Sequence, residues 1–329
     1  MKSVTRYLSV AMLCLAVWVS RVPIAAQPAI MDLGTLGGTF SSAKAINNRD
    51  QVVGESATGP GTGGLHAFLW EDGHMIDLGV LPGGQFSAAT GINDKGQIVG
   101  WATTSFGSLR AVLWDQGTIL DLGSLPGATS CVAHAISKHS HIVGWCQFMG
   151  GGFHAFLWQD GSMIDLGTLG YPFSTAVAVN DRGVAVGRAI TASGESHGFV
   201  WEDGTMTDLG TLPDDTESNA LAINERAQIA GYSGLPLAPF AVVWDRGELT
   251  MLGTLPGTDF SQAWGINKHG QVVGRSGQRP FLWTKGVMMD LGTLPGGTDA
   301  TALAINDRGV AVGEGQTATG EWHAVLWAR

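Results

Sequence analysis

From residue 29 onward the chain is built of short pieces with β character, apolar and polar positions grouped between turn residues, and no window sustains a helical period. Four kinds of piece follow one another in fixed order. The first is small and apolar: AKAIN at 43 to 47, ATGIN at 89 to 93, AVAVN at 176 to 180, and ALAIN at 220 to 224 and 302 to 306. The second is QVVG or a variant, ending at Gly54, Gly100, Gly144, Gly187, Gly231, Gly274 and Gly313. The third is of HAFLW type and the fourth reads MIDLGTL. HAFLWEDGHMIDLG at 66 to 79 returns as HAFLWQDGSMIDLG at 154 to 167. The recurring tryptophans, Trp70, Trp114, Trp158, Trp201, Trp244, Trp283 and Trp327, mark seven copies. Their interval is roughly 40–45 residues, the period of stacked or circular arrays.

The turn residues set the strand pairing. Asn93 to Gly96, Asn180 to Gly183 and Asn306 to Gly309 read N-D-K-G or N-D-R-G, in which Asn opens a type I turn and Gly takes the left-handed place of a bulged hairpin. Asp72-Gly73, Asp160-Gly161 and Asp203-Gly204 suit tight hairpins between the third and fourth pieces. Each copy is therefore predicted to be a four-stranded antiparallel meander, and the chain an all-β, seven-bladed β-propeller. The third strand occurs seven times but the turn after it only six, while AIMDLGTLGG, residues 29 to 38, is a fourth strand with no blade before it. The expectation is that strand 30 to 36 pairs beside strand 323 to 327 and completes the seventh blade from both ends. The tryptophans are expected to pack between neighbouring blades.

The beginning of the chain changes the picture. Lys2 and Arg6 precede an apolar run from Tyr7 to Val19, followed by Ala25 and Ala26, the layout of a secretory signal peptide. The expected domains are a signal peptide over 1 to 26 and a single propeller over 27 to 329, secreted to the extracellular space or the periplasm, with no membrane span after cleavage. The whole chain has a formal net charge of −10, and the signal segment carries basic residues but no acid. Phosphate backbones are bound chiefly through Lys and Arg, so nucleic acid is excluded as a partner. Cys131 and Cys146 lie in one short stretch, CVAHAISKHSHIVGWC, and an oxidising compartment favours their pairing as a disulfide, the other reading being two buried thiols.

H-A-F-L-W followed by D-L-G-T-L, with A-x-A-I-N, resembles the HAF repeat family of extracellular bacterial proteins, its tripeptide being His66-Ala67-Phe68 and His154-Ala155-Phe156. The resemblance covers residues 31 to 329. Departures are His197 followed by Gly198, Arg110 and Arg279 in place of His, and Phe240 opening one copy. The resemblance implies export and a repeat-built β architecture, with no catalytic residues to carry over.

Groups shared by the copies read as structural. His66, His154, His197 and His323 would lie around a ring, too far apart to share an ion at imidazole bond lengths of about 2.0–2.1 Å. Asp32, Asp77, Asp121, Asp165, Asp208 and Asp290 of the D-L-G pieces read as turn or ladder devices, with Met251 replacing one. Function is expected where the repeat breaks, on the face carrying the loops between strands two and three and the connections between blades. Trp101 and Trp145 follow the strand-two glycine, with Phe106, Phe148, Met149 and Phe153 in the loops after them. These aromatics suit stacking on sugars or anchoring a protein, and equally suit capping the core beneath. Asp214, Asp215, Glu217, Asp259 and Asp299 occupy equivalent connections; they are a candidate Ca²⁺ site or a solvated acidic surface. His139 and His141, with His134 nearby, read as a metal candidate or a relaxed turn.

No catalytic residues and no cofactor are assigned. The function expected is a monomeric binding or scaffolding propeller whose variable face recognises a polysaccharide or an extracellular protein. The alternative is a carbohydrate-active hydrolase or lyase acting at the central channel. That channel is expected to be lined by small apolar residues, with Lys44, Thr90, His134 and Trp264 as irregular exceptions.

Overall fold

A computed structural model describes residues 28 to 59, 64 to 235 and 238 to 328; the expected signal segment, 1 to 26, lies outside the described residues. Every regular element described is a β-strand, and among the described residues no helix is long and apolar enough to cross a membrane. The first repeat shows the plan. Ser41–Ile46, Val52–Ala57, Leu65–Glu71 and His74–Asp77 form a four-stranded antiparallel meander in sequence order. The same meander recurs along the chain, giving five separate four-stranded sheets. The third and fourth repeats join as one eight-stranded sheet through a single parallel pairing, Phe153 with Phe173.

The two hairpin turns form as their residues dictate. Asp72 and Gly73 both take positive φ, 51° and 82°, the pair of left-handed residues that a two-residue hairpin loop needs. In the Asn-x-x-Gly turns the Gly96 N–H donates to the carbonyl of Asn93 at 3.0 Å with φ 85°. Where glycine is missing the backbone is the same: Asp50, Ser140 and Ala227 sit at φ 59°, 66° and 60°.

Fourth strands are shorter than expected, four residues each, and the N-terminal one runs Ala29–Asp32 rather than 30 to 36. The cause is the aspartate of D-L-G. Its carboxylate accepts the N–H of the glycine two residues on, 2.7 Å for Asp77 to Gly79 and 2.8 Å for Asp32 to Gly34, and this Asx turn ends the ladder. Ala29–Asp32 pairs antiparallel with Trp322–Ala328, Ile30 opposite Trp327.

Hydrophobic clusters lie between consecutive sheets. One joins Val53, Ala67 and Leu69 of the first repeat to Ile98, Val112 and Trp114 of the second. Another joins Ala43, Val52 and Phe68 of the first repeat to Val312, Ala324 and Leu326 of the last. The recurring tryptophans reach across these seams: the indole N–H groups of Trp114, Trp244 and Trp327 donate to the carbonyls of Leu78, Leu209 and Gly292, each in the preceding repeat, at 3.0–3.1 Å. Each buried ring thereby pairs its polar atom while removing a large apolar area from water.

The shared His and Asp form cross-strand pairs. Nδ1 of His66, His154 and His197 lies 2.8 Å from Asp77, Asp165 and Asp208, and His323 lies 2.9 Å from Asp32 of the terminal strand. Arg279 makes the same pairing with Asp290 at 3.1 Å. Phe240 and Met251 stand at the equivalent positions of one repeat, so both members are exchanged together.

Candidate functional site at the irregular end of the central cavity

Each repeat carries the same β-bulge between its first two strands. In the first, Ala43 pairs with Gly54 and Ala45 with Val53, which leaves Lys44 as an extra, unpaired residue. The bulge draws the backbones together: a Cβ on Gly54 would stand 1.9 Å from the Ser42 carbonyl oxygen, and one on Gly187 1.9 Å from that of Thr175. This is why QVVG must end in glycine. A bulge re-aims the side chain it carries, and the re-aimed column reads Lys44, Thr90, His134, Val177, Leu221, Trp264 and Leu303. All seven line one cavity of about 500 Å³, together with Arg275, Thr301 and Glu314.

Arg275 and Glu314 belong to a second column, the residue following each strand-two glycine: Glu55, Trp101, Trp145, Arg188, Tyr232, Arg275 and Glu314. Lys44 Nζ lies 3.2 Å from the Glu55 carboxylate, and the Ser42 hydroxyl donates to Glu314 at 2.5 Å. Trp145 donates its indole N–H to His134 Nε2 at 3.0 Å. Burial pushes the His134 imidazole down to about 4, so it is neutral at pH 7 and carries its hydrogen on Nδ1. Arg275 lies 5.6 Å over the Phe260 ring and donates Nε–H to the Gly277 carbonyl. Burial also raises the Asp299 carboxyl, opposed by the charge of Arg275 and reinforced by that of Glu314.

An aromatic file leads away from this cavity. Trp145 and Phe153 pack edge to face at 5.1 Å, Phe153 and Phe173 lie at 5.5 Å, and the Arg188 guanidinium stands 5.1 Å over Phe173. The structure thus brings Trp145 and Phe153 together, with Phe148 against His154 at 5.1 Å. Trp101 and Trp145 are half-buried strand residues, and Phe148 and Phe153 end and begin strands rather than sitting in loops. Phe106 and Met149, 94% and 86% exposed, are turn residues.

The acidic candidates are not assembled. Among the described residues no group of three or more His, Cys, Asp or Glu side chains is placed to hold a metal ion. Asp215 instead accepts the Ser233 hydroxyl at 2.8 Å. Asp214, Glu217, Asp259 and Asp299 likewise join no such group among the described residues, so the expected Ca²⁺ cluster is not brought together. His139 and His141 are edge to face at 6.3 Å, with His139 Nδ1 at the Asp181 carbonyl, while His134 faces the cavity. They too make no metal cluster.

Cys131 and Cys146 are directly opposite each other in the register of the third repeat, joined Sγ to Sγ and fully buried. They occupy places held elsewhere by Ser41 and Ser56, or Ser261 and Ser276. In those repeats the first serine ties its strand to the neighbouring sheet: Ser41 donates to the Gly34 carbonyl at 2.6 Å and accepts the Ala324 N–H at 2.8 Å.

The opposite end of the passage is built of repeated groups. A second cavity of about 510 Å³ is lined by Ile46, Ile92, Ile136, Ile223, Ile266 and Ile305 and by the turn asparagines. Those asparagines bond head to tail. Nδ2 of Asn47 donates to the Asn93 carbonyl, Asn93 to Ser137, Asn180 to Asn224, Asn224 to Asn267, Asn267 to Asn306, and Asn306 to Asn47, at 3.0–3.4 Å. Ser137 replaces Asn in the third repeat and is too short to continue the chain of bonds. Sequence reasoning read these asparagines as turn openers alone, and it found Trp101 and Trp145 without the rest of their column. The signal available was that column's disorder: Glu, Trp, Trp, Arg, Tyr, Arg and Glu directly after seven identical glycines.

No family model and no curated protein matches the sequence. Among solved structures the chain is similar to YCF48 bound to D1 peptide, at 9% identity over 92% of this chain and 96% of that one, TM-score 0.56. It is similar to an acylaminoacyl peptidase of Pyrococcus horikoshii, at 14% identity over 90% of this chain and 52% of that one, TM-score 0.56. It is also similar to a puromycin-hydrolyzing peptidase of Mycobacterium tuberculosis, at 15% identity over 80% and 47%, TM-score 0.53. The chain spans about half the length of either peptidase. At such identities the likeness is one of fold alone, and the fold is that of a β-propeller.

Proposed function

We propose that this chain is an exported, monomeric binding propeller of the HAF repeat type, with seven blades closed by its N-terminal strand, and that it takes its ligand at the irregular end of the central cavity. The closed ring is supported by the pairing of Ala29–Asp32 with Trp322–Ala328 and by the bond from Asn306 to Asn47. The binding role rests on one observation: the whole bulge column, with Arg275 and Glu314 of the post-glycine column, lines a single cavity, and these are among the least repeated positions of a highly repeated chain. Uniform neutral groups would fill a structural cavity equally well, as they do at the opposite end. The ligand is a polysaccharide or an extracellular protein segment, and the Trp145, Phe153, Phe173 file is its outer platform. Binding to the native state raises the melting midpoint. The test is a thermal-shift and calorimetric screen of the mature protein against plant and bacterial polysaccharides and peptides, repeated with Trp145→Ala. Binding that Trp145→Ala leaves unchanged would place the site elsewhere.

A second reading, a carbohydrate-active enzyme acting in the channel, is favoured by one finding. Charged, non-repeated groups do meet there: Lys44, Arg275 and Glu314. Release of product from a glycan, abolished by Glu314→Gln, would establish it over simple binding.

A further inference from the structure

Within the site of the proposed function, we infer that the cavity takes an acidic sugar, a uronate residue of a polysaccharide, with Arg275 meeting its carboxylate and Trp264 its ring. The inference rests on the binding reading and adds the chemistry of the ligand.

The size comes first. A volume of about 500 Å³ falls within the range of roughly 300–1,000 Å³ typical of small-molecule sites. The distribution of polar groups is more telling. Lys44, Thr90, His134, Arg275, Thr301 and Glu314 come from five different repeats and so stand around the cavity rather than on one side of it. A pyranose carries hydroxyls around its whole perimeter, whereas a peptide terminus carries its polar groups at one end. Trp264 supplies an aromatic wall, and its indole N–H is buried with no partner among the described residues. An unpaired buried donor costs about 1–3 kcal/mol, and a ligand oxygen would relieve it.

Donors also exceed acceptors. Lys44 retains N–H groups beyond its contact with Glu55, and His134, with Nε2 occupied by Trp145, presents Nδ1–H. The Arg275 guanidinium is engaged through Nε–H to Gly277 and over Phe260, and it makes no ion pair with a described carboxylate. Its terminal nitrogens therefore suit a two-point contact with a carboxylate. Glu314, one oxygen held by Ser42, is the one carboxylate lining the cavity and accepts a sugar hydroxyl with the other.

The experiment compares tetragalacturonate and an alginate tetramer with cellotetraose and triglycine by isothermal calorimetry, on the full mature chain. Expected is binding of a uronate tetramer about tenfold or more tighter than cellotetraose, the scale of one charge-assisted pair. Arg275→Met should reduce that ratio to near one, and Trp264→Ala should weaken all sugars. Melting curves establish that each variant is folded, and Arg275→Lys, which keeps the charge but not the fork, should restore part of the preference. A preference that survives Arg275→Met overturns the inference. Binding of cellotetraose or triglycine with no uronate preference overturns it while leaving the binding function in place. Silence from every probe, with polysaccharides captured only through Trp145, places the ligand on the outer platform and also rejects it. Silence together with failure of the wider screen rejects both readings.

Discussion

Replacing Asn306 by serine separates two tasks of one side chain. Its Oδ1 accepts the backbone N–H groups of Arg308 at 3.0 Å and Val310 at 3.1 Å, which shapes the turn. Its Nδ2 donates to the Asn47 carbonyl at 3.1 Å and to Asp50 Oδ1 at 2.8 Å, both in the first repeat. The third repeat shows what serine retains: Ser137 Oγ accepts from His139 and His141 at 3.2 Å and cannot reach the neighbouring turn. Asn306→Ser should therefore keep the turn and delete the two bonds that this side chain makes across the seam between last repeat and first, leaving others such as Asp307 N–H to Asn48 in place. Two bonds at about 0.5–1.5 kcal/mol each give a loss of about 1–3 kcal/mol. For a domain of this size that lowers the thermal midpoint by on the order of 5 °C. Asn224→Ser removes the equivalent bond between interior repeats, Asn224 to Asn267 at 3.0 Å, and serves as the reference. Tryptophan fluorescence during urea and thermal unfolding reads both. If Asn224→Ser destabilises and Asn306→Ser does not, the ends of the chain are not joined through this seam and the closed ring is wrong.

Four further outcomes follow from the same geometry. Cys131→Ala with Cys146→Ala should cost about 3 kcal/mol, the loop-closure value for a separation of 15 residues. The double serine variant should cost about 1–2 kcal/mol less, since serine in this place makes two bonds elsewhere; equal losses in chemical denaturation would refute the serine comparison. Ala227→Gly should stabilise by about 1 kcal/mol, because φ 60° strains an L-residue where Gly96 and Gly183 sit easily; a lower melting midpoint would count against it. Gly187→Ala, whose Cβ would meet the Thr175 carbonyl at 1.9 Å, should cost about 3 kcal/mol or more or prevent folding, seen as loss of a cooperative melt. For His134, the folded value near 4 lies below the ordinary 6.5, so the unfolded chain binds the extra proton. Its stabilisation is complete above pH 6.5 and is lost as pH falls toward 4, by roughly 2–3 kcal/mol. His134→Gln, which keeps an acceptor for Trp145, should flatten that part of the stability–pH curve, and an unaltered slope would show that His134 is not its source.

The meander was legible because turn chemistry is local. Asp-Gly and Asn-x-x-Gly set the backbone within four residues, and the alternation between them set which side is buried. The strand-four boundary was not legible, since D-L-G looks like a continuing strand until Asp77 is seen to cap Gly79. The bulge was invisible for a different reason. AKAIN and QVVG each read as regular, and only their register, Ala43 with Gly54 and Ala45 with Val53, exposes Lys44 as the extra residue. Thus Lys44, Thr90, His134 and Trp264 stood out as oddities of composition, while Arg275 and Glu314, which meet them across the cavity, did not. The acidic candidates were grouped by sequence alone, and among the described residues they join no group of three or more.

Repetition itself explains why chemistry concentrates in those two columns. Residues of the inner strands surround one cavity, so any side chain copied in every repeat is copied around that cavity. Two like charges about 6 Å apart at an effective dielectric near 20 repel by about 3 kcal/mol, and a full set of lysines or glutamates would impose that penalty many times over. Uniformity is tolerable there only for neutral groups, and this is what the repeated end contains: isoleucines, and asparagines whose side-chain N–H groups donate to the backbone carbonyl of a neighbouring turn. Charged groups at that end are mixed in sign and locally matched, Lys138 with Asp181 at 2.6 Å and Lys268 with Asp307 at 3.3 Å. At the irregular end the columns are mixed too, but Arg275 makes no ion pair among the described residues and the Trp264 N–H is unpaired. Avoiding repulsion explains why charged columns are mixed, but not why charged groups stand where uniform neutral ones would serve, as they do at the repeated end. The Trp264 N–H without a partner and the Arg275 guanidinium without an ion pair among the described residues, both lining one cavity, are the argument that this end is kept for a ligand.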